Sequence, residues 1–241
     1  MAKLKPEERL IVALDMDRVE DAVALVKKMA PMGITHFKVG LNLYTLAGPA
    51  AVEAVRQAGG QVFLDLKFHD IPNTVSKAVR AAARLGVWMT NVHIQGGSAM
   101  MRSAVAAAQE SRPKTPLLIG VTVLTSLAEK ELMDFGLRKT LKDQVLTLAK
   151  RALEAGLNGI VASAQEAKAI RSTCGEGFLI VTPGIRLRGK ETGILDDQQR
   201  TATPLEAIQA GADYLVVGRP ILEAPDPSAV AREILEECAK A

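Results

Sequence analysis

Asp65 and Lys67 stand two residues apart in the run Val62-Phe63-Leu64-Asp65-Leu66-Lys67, a spacing that puts both side chains on one face of a strand. Lys38 lies in a second β-branched run, Thr35-His36-Phe37-Lys38-Val39. Asp15 follows a third such run, and Asp70 comes just after Lys67. Gathered in one place, these residues make a row of alternating charge. In a pocket with little water each member keeps its neighbour ionised, because an isolated buried charge neutralises itself instead. Such a row can present a poised ammonium to a bound molecule. Taken one pair at a time, it also reads as structural ion pairing.

A second set of residues suits an anion. Thr182-Pro183-Gly184-Ile185-Arg186 and Gly218-Arg219-Pro220 each combine a glycine with an arginine. Glycine lets backbone approach a phosphate, and the guanidinium offers it a forked set of donors. Between the two lies a polar stretch from Leu187 to Thr203, poor in apolar anchors and longer than a usual connection. It reads as a lid over a site, or as an insertion without a role. His36, His69 and His93 lack the spacing of a zinc site, so no metal site is expected from them, and His36 is expected to be packed. Cys174 has no nearby base that would make it a nucleophile. Trp88 and the methionines sit in apolar patterns and are expected in the core.

What could hold these residues in place is visible in a recurring unit. Met32-Gly33, Ala58-Gly59, Leu85-Gly86, Ala155-Gly156 and Ala210-Gly211 each end a helical pattern and precede a short apolar run. Glycine there supplies a left-handed helix cap, and the run that follows is too short for another helix. The expected strands are 10–14, 35–39, 62–67, 88–93, 117–122, 159–162, 178–181 and 214–217. Between them the three- and four-residue periodicity predicts helices near 18–30, 42–58, 72–85, 98–110, 139–155, 165–173, 204–210 and 227–239. Eight nearly all-apolar strands alternating with eight helices call for a parallel sheet covered by helices, and closure into an α/β barrel leaves no edge. The alternative is an open, doubly wound sheet. Against it, Asp15-Met16-Asp17 stands after the first strand where a glycine-rich dinucleotide fingerprint belongs. In a barrel, both sets of residues above fall at the C-terminal ends of strands, where barrel chemistry takes place.

Composition narrows the partners. The 241 residues carry 30 Lys+Arg against 27 Asp+Glu, and aromatics make up 3%, so neither a basic stripe nor a stacking platform for nucleic acid is present. No apolar run reaches the roughly 18 residues a membrane span needs, and no signal peptide is apparent. Two cysteines, Cys174 and Cys238, suit a reducing, cytoplasmic setting. Nothing in composition divides the chain, so residues 1–241 are expected to form one domain.

Several segments together resemble the bacterial orotidine 5'-phosphate decarboxylases. They are Leu14-Asp15, Phe37-Lys38-Val39-Gly40, Asp65-Leu66-Lys67-Phe68-His69-Asp70-Ile71-Pro72-Asn73-Thr74, Val121-Thr122-Val123-Leu124-Thr125-Ser126, Pro183-Gly184-Ile185-Arg186, Asp197-Gln198 and Val217-Gly218-Arg219-Pro220. The likeness runs from the first strand to the eighth. Its D-x-K-x-x-D element is shared with metal-dependent sugar-phosphate relatives, in which an acidic residue resembling a magnesium ligand takes the place of Lys38. The stretch between Arg186 and Gln198 is a few residues longer than the family pattern, so the lid glutamine is assigned as Gln198 rather than Gln199.

The resemblance implies a (β/α)8 barrel that turns orotidine 5'-phosphate into UMP and carbon dioxide in pyrimidine biosynthesis, with no cofactor and no metal. It implies a homodimer with shared sites, each receiving Asp70, Ile71 and Thr74 from the neighbour. Lys67 would donate the proton to carbon 6 of the pyrimidine, Asp65 would lie against the substrate carboxylate, and Lys38 and Asp70 would complete the charge network. Asp15 and Lys38 would bind ribose hydroxyls, and Thr125 the base. Gln198 would bridge base and phosphate, and Arg186, Gly218 and Arg219 would hold the phosphate. Two other readings stay open: a magnesium-dependent sugar-phosphate enzyme on the same barrel, and a non-catalytic barrel that binds a nucleotide.

Overall fold

The computed structural model describes residues 4–111, 115–127, 129–134, 136, 139–187 and 200–241. Eight parallel strands follow the chain: β1 (Leu10–Ala13), β2 (His36–Val39), β3 (Gln61–Phe68), β4 (Met89–His93), β5 (Leu117–Val121), β6 (Gly159–Val161), β7 (Leu179–Thr182) and β8 (Tyr214–Val217). Each pairs with the next, and β8 pairs with β1 through Leu10 and Leu215, which closes the barrel. The open-sheet alternative is thereby excluded. Around it lie α1 (Pro6–Arg9), α2 (Val19–Met29), α3 (Leu41–Ala47), α4 (Pro49–Gln57), α5 (Pro72–Arg84), α6 (Gly97–Gln109), α7 (Glu129–Asp134), α8 (Leu141–Glu154), α9 (Ala164–Cys174), α10 (Pro204–Gln209), α11 (Arg219–Leu222) and α12 (Pro227–Ala239). Among the described residues, no helix is long and apolar enough to cross a membrane.

The glycine punctuation works as its sequence context predicts. Gly33, Gly59, Gly86, Gly156 and Gly211 all have positive φ, from 71° to 107°. One expected helix, 42–58, is instead two. Gly48, at φ 58° and ψ −145°, ends α3, and Pro49 starts α4 because it has no N–H to continue the ladder. The short helices α1, α7 and α11 were not expected; at four to six residues they show too little periodicity to register.

Strand alternation sorts the side chains. Ile11 and Phe63 point inward to join Met89, Ile119, Leu179, Val181 and Tyr214 in the barrel interior. Their neighbours Leu10, Val12, Val62 and Leu64 point outward and pack under the helices with Val26, Met29, Val52 and Val55. The same parity runs up each strand, so His36 and Lys38 share the inner face of β2, and Phe63 and Asp65 that of β3. The fold therefore puts charge at the C-terminal mouth and apolar residues beneath it. Met133, expected in the core, is instead 60% exposed on α7.

His36 closes the opposite end. Its ring stacks 4.1 Å from Trp88, and Trp88 meets Tyr214 edge-on at 5.2 Å. Trp88 is half-buried there, at the rim rather than within the core. Burial holds the imidazole pKa down to about 4, against a smaller upward pull from Glu8. Above pH 6.5 the group is neutral in folded and unfolded chains alike; below it, the unfolded chain binds a proton that the folded chain refuses until about pH 4. Stability attributable to this residue is therefore full above pH 6.5 and drains across that window, by about 3 kcal/mol in all. His36→Phe, which keeps the ring stack, should lose less stability than the parent between pH 7 and pH 4.5 in urea unfolding. Equal losses would show that His36 does not carry this pH dependence.

Candidate active site

The mouth is built on an irregularity in β3. Leu64 pairs with Thr90 and Phe68 with Val92, so Asp65, Leu66 and Lys67 all stand opposite the single residue Asn91. The extra length bulges out of the ladder. Lys67 absorbs it at φ 50°, and among the described residues it is the one non-glycine residue with positive φ. Left-handed backbone costs a side-chain-bearing residue roughly 1–2 kcal/mol, and such strain persists only where its surroundings enforce it. Asp65 and Lys67 do meet, as their spacing predicts, but regular alternation is not the whole reason. The bulge turns Lys67 toward the mouth.

Four charged side chains come together there. Lys67 Nζ donates to Asp65 Oδ1 at 2.7 Å, and Lys38 Nζ lies 3.4 Å from Asp65 Oδ2 and 3.1 Å from Asp15 Oδ1. Burial pushes the Asp65 carboxyl up, but Lys38, Lys67 and the hydrogen bonds from Lys67 and Asn91 outweigh it and hold the group below the usual carboxylate range. Burial likewise pulls the Lys38 ammonium down, and Asp65 and Asp15 overcome it to leave the group above its ordinary value. Both therefore stay charged in a nearly dry place. The Lys38 side chain is 11% exposed and that of Lys67 31%, so Lys67 is the cation more open to a ligand. Gly40 makes room for the row: a Cβ there would come within 2.9 Å of Lys38 Nζ.

The row lines one side of a cavity of about 330 Å³. Phe63, Val121, Val161, Val181 and Val216 form its apolar floor, and Leu124, Thr125 and Ser126 from the loop after β5 form a wall. Gly184 and Arg186 after β7, with Gly218 and Arg219 after β8, complete the rim. Asp15, Lys38, Asp65, Lys67, Thr125, Arg186, Gly218 and Arg219, singled out from the sequence, thus line one space. A volume of this size fits a small ligand, with carboxylate and ammonium at one side and arginines at another. Among the described residues, no three of His, Cys, Asp and Glu gather as a metal-holding group.

Asp70, Ile71 and Thr74 do not join this space within the chain. All three are exposed, Ile71 at 67%, and Asp70 Oδ1 accepts from the Ile71 backbone N–H at 2.6 Å. Gln198, together with residues 188–199 of the expected lid, lies outside the described residues. Both stems of that segment are fixed. Arg186 N–H donates to Ala202 O and Ala202 N–H to Gly184 O, while Arg200 reaches Glu166 at 2.8 Å and the Leu124 carbonyl at 3.1 Å.

Sequence reasoning missed the partner of the bulge. Asn91, fully buried, donates from Nδ2 to Asp65 Oδ1 at 2.7 Å and accepts the Lys67 backbone N–H on Oδ1 at 2.8 Å. The signal was a carboxamide inside the strand Met89-Thr90-Asn91-Val92-His93, since a buried amide must find partners. The Arg200–Glu166 pair was missed as well. It links residues far apart in the chain, which no local spacing reveals.

Comparison with known proteins points to one family. A family profile described as orotidine 5'-phosphate decarboxylase / HUMPS family matches residues 8–234. The orotidine 5'-phosphate decarboxylase of Pseudoalteromonas translucida is 51% identical over 227 residues, covering 94% of this chain and 95% of its own. That of Moorella thermoacetica is 50% identical over 243 residues, covering 98% and 94%. Among solved structures, orotidine 5'-phosphate decarboxylase from Lactobacillus acidophilus superposes with a TM-score of 0.83 at 38% identity, covering 95% of this chain and 97% of its own. The enzyme from Pyrococcus horikoshii superposes at 0.75 with 26% identity, covering 95% and 99%. With matches that run nearly end to end and a barrel mouth that gathers Asp15, Lys38, Asp65 and Lys67 with Arg186 and Arg219, the chain belongs to the orotidine 5'-phosphate decarboxylase / HUMPS family.

Proposed function

We propose that this protein decarboxylates orotidine 5'-phosphate to UMP and carbon dioxide, as a step of pyrimidine biosynthesis, with Lys67 as the proton donor. The observation that carries the reading is the Lys38–Asp65–Lys67 row facing a cavity that Arg186 and Arg219 also line. In the reaction the bond between carbon 6 and the carboxylate breaks, carbon dioxide departs, and the electron pair stays on carbon 6. That carbanion lies in the ring plane with no adjacent carbonyl to delocalise it as an enolate. A preorganised ammonium beside it supplies the missing stabilisation, and transfer of a proton from Lys67 Nζ to carbon 6 completes UMP. The lysine then regains its proton from solvent. Asp65 faces the substrate carboxylate, Asp15 and Lys38 hold ribose hydroxyls, Thr125 contacts the base, and Gln198 bridges base and phosphate. The phosphate, held by Arg186, Gly218 and Arg219, does not react; its binding energy orients the ring and excludes water.

Lys38 favours this reading over a magnesium-dependent sugar-phosphate enzyme. Its ammonium sits within 3.4 Å of both Asp15 and Asp65 and supplies, as a side chain, the positive charge a metal would otherwise bring. The reading further takes residues 1–241 as one domain, active in the cytoplasm as a homodimer. Asp70, Ile71 and Thr74 would enter the neighbour's site, in keeping with their exposure, and the free thiols of Cys174 and Cys238 suit a reducing compartment. The deciding experiment follows orotidylate absorbance with metal-stripped protein in excess chelator. Rapid loss is expected, with orotidine, which lacks the phosphate, consumed far more slowly. No loss until magnesium and a sugar phosphate are supplied would overturn the assignment.

A further inference from the structure

We infer that Asn91 is the positioning residue that aims Lys67, holding its backbone in the left-handed conformation and fixing Asp65 with the same carboxamide. The bulge leaves three residues of β3 opposite one of β4, so the regular ladder cannot satisfy the Lys67 backbone N–H. Asn91 Oδ1 accepts that proton at 2.8 Å, while its Nδ2 donates to Asp65 Oδ1, the same oxygen that receives Lys67 Nζ. The two partners fix the amide's orientation: an N–H can only donate, and an ionised carboxylate can only accept. One step earlier, Thr90 Oγ1 donates to the Leu64 carbonyl at 3.0 Å, so side chains of β4 grip β3 on entering the bulge as well as at its crest. Asn91 is fully buried and does not line the cavity. It acts on the reaction through Lys67 and Asp65, not by touching substrate.

The inference rests on the decarboxylase reading, and its test keeps the two apart. Three variants are compared with the parent, each checked for folding: Asn91→Ala, Asn91→Ser and Asn91→Asp. Readouts are kcat, KM, UMP affinity by calorimetry, the pH profile of kcat/KM, and hydrogen exchange of the Lys67 amide by NMR. Asn91→Ala removes both bonds. Its kcat should fall about 100-fold, the scale expected when a reacting group is misplaced by about 1 Å. KM and UMP affinity should stay within about threefold, because the phosphate grip is remote, and the Lys67 amide should exchange about 100-fold faster. Asn91→Ser, smaller but still polar, stands in if the alanine variant does not fold.

Asn91→Asp separates the two bonds. It keeps an acceptor for the Lys67 N–H but sets a second carboxylate against Asp65, so the amide should stay protected while kcat falls and the acid limb of kcat/KM moves to higher pH. If kcat or the Lys67 amide exchange of folded Asn91→Ala, or of Asn91→Ser in its place, stays within about threefold of the parent, the positioning role is overturned. If the parent itself fails to consume orotidylate, the functional reading fails instead, and the amide exchange alone decides whether Asn91 holds Lys67.

Discussion

Lys67→Ala should leave a folded protein whose orotidylate turnover has dropped by at least roughly 10⁴-fold, since one side chain supplies both charge stabilisation and the proton. Folding should survive because Asp65 keeps Lys38 at 3.4 Å and the Asn91 amide at 2.7 Å after Lys67 is gone, so no buried carboxylate is stranded. The backbone at position 67 stays in its left-handed conformation with alanine, which has a Cβ just as lysine does, so the strain is unchanged. Loss of activity can then be read as loss of chemistry. The measurement pairs the absorbance assay with circular dichroism and a UMP titration on the same preparation. An inactive variant that is folded and still binds UMP is the expected result. Near-native turnover would sink the mechanism, because the other ammonium of the row, on Lys38, already bridges Asp15 and Asp65.

Much of this site was legible in the sequence, for a physical reason that also sets its limit. Barrel strands are short, parallel and alternating, so residues two apart, such as Asp65 and Lys67, can be assigned to one face from their spacing alone. Which face is inward emerges from the closed barrel, where Ile11 and Phe63 lie in the interior and pair in register with β2, so that Lys38 and Asp65 share their side. Gly33, Gly59, Gly86, Gly156 and Gly211, each after a helical pattern, mark the start of the next strand, because a positive φ is a local property of one residue. Register is not local. That β3 carries three residues against Asn91 depends on how β3 and β4 settle over the barrel core, so the left-handed Lys67 and its amide support were hidden. The Gly48-Pro49 break was legible in principle, and the periodicity on either side concealed it. Arg200 and Glu166 meet only once the barrel has closed, so their pairing had no sequence signal.

The second large effect concerns Asp70. Alone, Asp70→Ala should be nearly as damaging as Lys67→Ala, yet within the chain Asp70 lies exposed, bonded to the Ile71 N–H and outside the cavity. Those two statements agree if Asp70 completes the charge row of a second copy. Ile71 beside it is 67% exposed, and Leu41 and Leu46 on α3 are 56% and 59% exposed, large apolar side chains that burial against a second chain would stabilise. Mixing the two inactive proteins and allowing subunits to exchange gives a sharp discriminator. In a mixed dimer, one site combines both defects, while the other receives an intact Lys67 from one chain and an intact Asp70 from its partner. Random assortment puts half the population in mixed dimers with one working site of two, so activity should return to about a quarter of the parent's. A site built from one chain gives no return at all, because every chain then carries its own defect. Recovery should also be lost on dilution below the dimer dissociation constant, because the restored site exists only while two chains are joined.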